Sequence, residues 1–183
     1  MTLEIRQDEI GYHELSTTNT VREVSLASVP VTEQLKLASN QTTLSRSIDC
    51  VGVALHSGKK VSLSLKPAEA NTGIVFRRSD LPGIPEIKAN WEYVVGTRMC
   101  TTLGNDDGVT ISTVEHLMAA LSGCHVDNAI VEVDGSEVPV MDGSAQPFVF
   151  LIECAGVKEL DESRSIIEVL KPVKIEAEGS LAE

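Results

Sequence analysis

One short segment of this chain alternates strictly between polar and apolar residues. Along Lys60-Val-Ser-Leu-Ser-Leu-Lys66, every second side chain is apolar. Because neighbouring side chains of a strand point to opposite faces, this pattern predicts a β-strand with one face buried and the other in water. The chain must therefore contain a second layer that covers the apolar face.

Two other segments have the spacing of amphipathic helices, which would supply that layer. At about 100° per residue, residues 113–123 place most of their apolar side chains on one side. Gly123 suits the C-cap of this helix. A second helix is predicted over Ala145–Ala155, with Ser144 as its N-cap and Gly156 at its end.

Several more segments are rich enough in β-formers to be strands. They are residues 44–51, 74–78, 126–133 and 166–176, with shorter strand segments in 93–103. The first of these and the alternating strand would form a hairpin with residues 55–58 at its tip. Strands joined mostly by hairpins and covered by two helices indicate an α+β fold, in which a sheet is layered with the helices.

Composition limits the partners that the chain can bind. The sequence is 42% hydrophobic and 23% charged, as in globular proteins. Its formal net charge of −12 provides no basic field for phosphates, which excludes nucleic acid as a partner. No run approaches the roughly 18 apolar residues of a membrane span, so we expect no transmembrane segment.

Four cysteines lie in apolar runs without a CxxC spacing, which favours reduced thiols and a cytoplasmic protein: Cys50, Cys100, Cys124 and Cys154.

Glu115 and His116 stand side by side in the first turn of the first predicted helix. The positive end of the helix dipole favours a neutral imidazole and an ionised carboxylate there. These are the forms in which histidine binds zinc and glutamate accepts a proton. A structural interpretation stays open, because Ser112 and Glu115 have the spacing of a capping box.

A second metal ligand is not evident from local spacing, since nothing resembles the HExxH motif. His56 lies in a loop bounded by glycines, and Asp142 lies in a tight turn that is equally typical of a simple helix lead-in. His125 follows the predicted helix end and would lie far from His116. His13 is interpreted as an ordinary exposed histidine.

Four strings occur together in a fixed order, with a fifth between the first two. The four are Val51-Gly-Val-Ala-Leu-His-Ser-Gly-Lys59, Thr97-Arg-Met-Cys-Thr101, Ile111-Ser-Thr-Val-Glu-His-Leu117 and Pro139-Val-Met-Asp-Gly-Ser-Ala145, and the fifth is Pro67–Arg78. In these strings the chain resembles the UDP-3-O-acyl-N-acetylglucosamine deacetylases, a family of zinc amidases in lipid A synthesis. The resemblance runs from about residue 42 to about residue 177.

The resemblance implies a fold, a reaction and a set of site residues. The family has two similar α+β domains with the active site between them. Residues 42–165 then correspond to the first domain and residues 166–183 to the opening strand of a truncated second domain. Residues 1–41 lie outside the resemblance, and their polar composition predicts a flexible extension. His116 would be a zinc ligand, Glu115 the general base that activates water, and His56 and Asp142 supporting residues of the active site.

The implied substrate is UDP-3-O-acyl-N-acetylglucosamine, whose 2-acetamido group would be hydrolysed to a free amine and acetate. The family's other zinc ligands belong to its second domain, so the implied partner is the missing C-terminal half of the enzyme. Two alternatives stay open. The chain could build its own metal site from His116 with His56, Asp142 or His125, or it could be a non-catalytic binding module derived from the same domain.

Overall fold

A computed structural model describes residues 40–165, 172–177 and 179–182 of the chain. The chain divides into two compact units, one made of residues 1–39 and 164–183 and the other of Asn40–Ser163. The predicted N-terminal extension, apart from residues 40 and 41, lies outside the described residues.

The unit Asn40–Ser163 combines ten strands with two α-helices, as an α+β fold requires. The strands are β1 (Asn40–Leu44), β2 (Ile48–Val53), β3 (Lys60–Pro67), β4 (Ile74–Arg78), β5 (Glu86–Lys88), β6 (Val94–Gly96), β7 (Thr102–Gly104), β8 (Thr110–Ser112), β9 (Ala129–Val133) and β10 (Val157–Ser163). The helices are α1 (Glu115–Gly123) and α2 (Gln146–Ala155), and a 3-10 helix spans Trp91–Tyr93.

Five strands form the main sheet, in the order β2-β3-β9-β4-β5. The alternating segment is its strand β3, and the prediction for it is confirmed. Val61, Leu63 and Leu65 are buried, whereas Lys60 and Ser62 are exposed. The predicted hairpin to β2 is present as an antiparallel pair. Three apolar side chains on one face therefore anchor this strand over the core.

The centre of the main sheet differs from the predicted succession of hairpins. Strand β9 lies between β3 and β4 and runs parallel to β4, so that Val75 pairs with Ile130 and Phe76 with Val131. Four of its five residues are buried. A nearly continuous apolar run of this kind is typical of a strand that is buried on both faces of its sheet. The chain from β4 to β9 includes α1, which gives the crossover that a parallel pair requires.

The segment predicted as one strand over residues 44–51 is two strands. Residues 45–47 break it, and β1 leaves the main sheet to pair with β10 in a separate antiparallel ladder. Ser45, Arg46 and Ser47 are exposed, which lets the backbone turn there. Residues 79–90, for which no strand is predicted, also contain a short strand, β5.

A smaller sheet of three strands, in the order β6-β7-β8, follows the 3-10 helix. Its first strand lies within the region where strand segments are predicted, residues 93–103, and its second strand extends one residue beyond it. Strand β8 ends at Ser112, directly before the first helix. The small sheet thereby leads the chain into α1.

The two helices pack against one another and cover the main sheet, as the patterns predict. Leu117 and Leu121 of α1 and Phe148 and Ile152 of α2 are buried in one apolar cluster with the sheet. Gly156 ends α2 as predicted, whereas the C-cap of α1 is Cys124, one residue beyond the predicted Gly123. Neither helix that the structure describes is long and apolar enough to cross a membrane.

The N-cap of α2 is Ala145 rather than the predicted Ser144. The Ser144 hydroxyl still accepts a hydrogen bond from the backbone N–H of Gln146, at 3.2 Å. It therefore satisfies one of the free donors at the start of the helix from one position further upstream.

All four cysteines lie within the described residues, where they are unpaired and partly buried. Burial, and next the charge of Asp49, raise the pKa of the Cys50 thiol. Burial, and next the charge of Glu153, raise the pKa of the Cys124 thiol. Both thiols are therefore weak nucleophiles.

In the other unit, the described residues include a short antiparallel hairpin of β11 (Ile175–Ala177) and β12 (Ser180–Ala182). The predicted strand 166–176 overlaps it only at residues 175–176, and residues 166–171 lie outside the described part. The prediction of a single strand is therefore incomplete, because a second strand pairs with the first. Gly179, at φ 82°, makes the turn between them.

Candidate functional site

The segment of residues 136–140 ties the main sheet to the small sheet by backbone hydrogen bonds. The N–H of Val140 donates to Val53 at the end of β2, and the N–H of Val138 donates to Ser112 at the end of β8. The N–H of Ser112 in turn donates to the carbonyl of Ser136. This linking segment therefore brings the hairpin tip after β2 and the start of α1 to the same place.

Thr113 makes the turn from β8 into α1 with a backbone φ of 59°. This conformation is costly for a residue branched at Cβ, so the surroundings must hold it. The side chain is buried, and its hydroxyl donates to Glu137 Oε1 at 3.1 Å. One hydrogen bond to the linking segment thus stabilises the entry to the helix.

Glu115 is the first residue of α1, but the capping-box interpretation of it is wrong. Ser112 belongs to β8, the N-cap is Val114, and that cap makes no side-chain hydrogen bond. Instead, Glu115 Oε1 accepts the backbone N–H of Thr101 at 2.6 Å. Its Oε2 is buried, and no described residue hydrogen-bonds to it. One carboxylate oxygen is thus fixed while the other has its acceptor capacity unused.

His116 is partly buried and lies close enough to Asp142 for their charges to interact. Asp142 is exposed, and its Oδ1 accepts hydrogen bonds from the Ser144 hydroxyl at 2.8 Å and the Ser144 N–H at 2.9 Å. These two bonds, and to a smaller extent the charge of His116, lower the pKa of Asp142. The turn therefore presents an ionised carboxylate beside the imidazole.

His56 is exposed in the turn that joins β2 to β3. Its backbone N–H donates to Glu137 Oε1 at 2.9 Å, and the N–H of Ser57 donates to Glu137 Oε2 at 3.3 Å. Glu137 is only 4% exposed. Burial opposes its ionisation, but the bonds from His56, Ser57 and Thr113 outweigh this effect and lower the pKa of Glu137.

The four predicted site residues thus lie around one linking segment. Glu137 of this segment holds the His56 loop. Glu115 and His116 follow the Thr113 turn, and Asp142 lies two residues after the end of the segment. Glu137 itself was not among the predicted site residues. Nothing in the local string Ser136-Glu-Val-Pro139 marks its carboxylate as buried, because its partners are distant in sequence.

His125 lies at the other end of α1, as predicted. It is exposed, and it follows the C-cap of a nine-residue helix that is about 13 Å long. Within the described part of the chain, no three His, Cys, Asp or Glu side chains lie close enough together to hold a metal ion. The alternative of a metal site built by His116 with His56, Asp142 or His125 therefore has no support there. His13 lies outside the described residues.

Gly52 allows β2 and the chain around Asp142 to approach each other closely. A Cβ atom there would lie 2.7 Å from Pro139 Cβ and 3.0 Å from Met141 Sδ. We expect Gly52→Ala to lower the free energy of unfolding by about 1–3 kcal/mol through overpacking. Urea denaturation checks this, with Gly123→Ala as a control because no atom outside the neighbouring residues and the backbone of its own helix lies within 4 Å of its Cβ position. Equal stabilities of the two variants would contradict the close approach.

Comparison with known proteins covers most of the chain. Residues 41–183 match the family model described as UDP-3-O-acyl N-acetylglycosamine deacetylase. Three relatives carry the name UDP-3-O-acyl-N-acetylglucosamine deacetylase, and they come from Aliivibrio fischeri (51% identical), Idiomarina loihiensis (48%) and Legionella pneumophila (50%). Each match covers 143 residues, which are 78% of this chain and 47% of the relative. The chain thus spans about half the length of these curated relatives.

Proposed function

The chain belongs to the UDP-3-O-acyl-N-acetylglucosamine deacetylase family, and on this premise we propose that it forms the half of a zinc-dependent deacetylase that carries the general base and one metal ligand. The reaction is hydrolysis of the 2-acetamido group of UDP-3-O-acyl-N-acetylglucosamine, which releases a free amine and acetate. The observation that carries this proposal is the pair Glu115 and His116 at the start of α1, with one oxygen of Glu115 uncommitted.

Glu115 is suited to move a proton from water to the leaving amine. The backbone N–H of Thr101 holds Oε1, so the carboxylate has a fixed orientation. Oε2 has no hydrogen-bond partner among the described residues, so it can accept a proton from an attacking water. A base held rigidly on a helix loses little of its effect to motion.

His116 is the residue of this chain that would hold zinc. Its imidazole is partly exposed. Oε2 of the adjacent Glu115 is without a hydrogen-bond partner among the described residues, as is expected where the zinc and its water are not bound. Catalytic zinc takes three protein ligands, so the other ligands must come from outside the described residues, in the second half of the enzyme. When bound, zinc would act as a Lewis acid that polarises the acetamido carbonyl.

His56 and Asp142 take supporting roles in this proposal. Both side chains are exposed, so both can contact a substrate. The carboxylate of Asp142 places negative charge beside His116, which would help to orient the imidazole. The four free thiols support a cytoplasmic location for the enzyme.

The proposal is tested by completing the enzyme with the remaining half of the Aliivibrio fischeri relative. We expect the pair to bind about one zinc ion per complex and to release acetate from the substrate. His116→Ala should weaken zinc affinity by at least about tenfold, as measured by competition with a chelator. His125→Ala is the matched control and should change nothing, because this exposed histidine lies at the other end of α1.

Two outcomes would count against this function. Unchanged zinc affinity in His116→Ala would remove the ligand role of His116. A complex that assembles and binds zinc but releases no acetate would favour the alternative of a non-catalytic binding module.

A further inference from the structure

Glu137 is a buried carboxylate whose bonds join two separate parts of the site. We infer that Glu137 is a positioning residue, which holds the loop of His56 and the Thr113 turn at a fixed separation. This inference rests on the proposed function, because it assigns to Glu137 the role of holding His56 at a fixed distance from Glu115 and His116. Glu137 touches no reacting group itself and acts through its neighbours.

The geometry uses both oxygens of the carboxylate. Oε1 accepts the N–H of His56 at 2.9 Å and the hydroxyl of Thr113 at 3.1 Å, and Oε2 accepts the N–H of Ser57 at 3.3 Å. Two successive backbone donors on one side and a hydroxyl on the other thus share one anion. His56 and Thr113 are 57 residues apart in sequence, and Glu137 is the side chain that connects them.

Burying a charge is costly, which makes the choice of a carboxylate at this position informative. Glu137 is 4% exposed, and within the described residues no lysine, arginine or histidine side chain forms an ion pair with it. Three neutral donors, with a smaller contribution from the charge of His56, therefore compensate the charge. An amide could not replace it, because its NH2 group would face one of these N–H donors. A buried charge contributes little to the free energy of unfolding, so the carboxylate serves mainly to fix the positions of the groups that it binds.

The Thr113 turn is where this position matters for the reaction. Thr113 precedes Glu115 by two residues, and its φ of 59° is maintained against steric cost. Without the bond to Glu137, the turn can relax and change the angle at which α1 begins. A displacement of about 1 Å between reacting groups can cost about a hundredfold in rate.

The first test uses this chain alone and needs no activity. In Glu137→Gln, we expect hydrogen exchange of at least one of the His56 and Ser57 amides to become at least about tenfold faster, because the N–H that faces the new NH2 group loses its acceptor. The amides of Leu63 and Leu65 in β3 should be unchanged. Asp127→Asn is the matched control, because Asp127 also accepts a backbone N–H, that of Thr42. This variant should leave exchange at His56 and Ser57 unchanged. Unchanged exchange at both His56 and Ser57 in Glu137→Gln would overturn the inference.

The second test uses the enzyme completed with the second half. Glu137→Gln should lower kcat by about 10- to 100-fold, whereas KM and the zinc content stay close to those of the wild type. Asp127→Asn should keep its kcat. A kcat within twofold of the wild type in Glu137→Gln would overturn the inference, and so would an equal loss in both variants.

The two tests separate this inference from the proposed function. If the completed wild-type enzyme releases no acetate, the proposed function fails, and the positioning role for that reaction fails with it. Amide exchange then still decides whether Glu137 holds the His56 loop. If the wild type is active and only Glu137→Gln loses kcat, both the function and the inference are supported.

Discussion

Replacing Glu115 with glutamine is expected to lower the turnover of the completed deacetylase by about a hundredfold or more. The amide keeps a carbonyl oxygen that can accept the N–H of Thr101, so the local structure is retained. An amide cannot take a proton from water, however. The zinc content should not change, because the ligand in this turn is His116 and not Glu115.

The measurement is acetate release at saturating substrate, together with zinc per complex. Glu132→Gln serves as the matched control, because it removes a carboxylate from β9 that pairs with Lys66 outside the site. Its turnover should stay within a few-fold of the wild type. If Glu115→Gln also stays within a few-fold, the carboxylate of Glu115 serves only to hold the Thr101 loop, and the general base must be sought elsewhere.

Replacing Leu117 with alanine is expected to lower the free energy of unfolding by about 2–5 kcal/mol. Leu117 follows His116 directly, is 0% exposed and lies in the cluster where α1 meets the sheet. The lost side chain leaves a cavity that its neighbours can fill only in part. Because this helix carries the proposed base and ligand, the variant should also lose zinc from the completed enzyme at lower urea concentration than the wild type.

Urea denaturation followed by circular dichroism checks the stability change. Ser122→Ala is the control on the same helix, because Ser122 is exposed, and its effect should lie within about 0.5 kcal/mol. A loss below about 1 kcal/mol in Leu117→Ala would mean that the core around α1 collapses readily onto the cavity. The packing of α1 against the sheet would then contribute less to the free energy of unfolding than the burial of Leu117 indicates.

The elements predicted correctly are those whose signal is local. Strand β3 follows from its alternation, β4 begins and ends as predicted, and the buried face of α1 follows from its 3.6-residue period. In each case the pattern of burial repeats within one element, so a few neighbouring residues suffice to reveal it.

The elements predicted wrongly depend on partners that are distant in sequence. Nothing in residues 44–51 indicates that β1 pairs with β10, which lies more than a hundred residues later. The parallel pair of β4 and β9 is equally non-local. The capping box at Ser112 has the right residue types, but pairing of β8 with its neighbours removes Ser112 from the helix start. Tertiary contacts thus override the local preference.

The same division applies to the candidate site. The side-by-side arrangement of Glu115 and His116 on a helix follows from the sequence, and the family resemblance adds His56 and Asp142. Glu137 and the N–H of Thr101 could not be predicted, because their roles exist only after the two sheets meet. The chemistry-bearing side chains are local features, whereas the contacts that hold them are products of the fold.

Strands β1 and β10 also determine how the unit Asn40–Ser163 responds to a pulling force. Its first residue, Asn40, pairs with its last, Ser163, so the chain enters and leaves at the same end of this ladder. Inter-strand hydrogen bonds of an antiparallel pair lie perpendicular to the strands. Tension applied at these two residues therefore acts along the inter-strand hydrogen bonds of the ladder. It breaks these bonds one after another, instead of loading all of them in shear at once. The ladder that closes the unit is thus the first part to open when the unit is pulled from its ends.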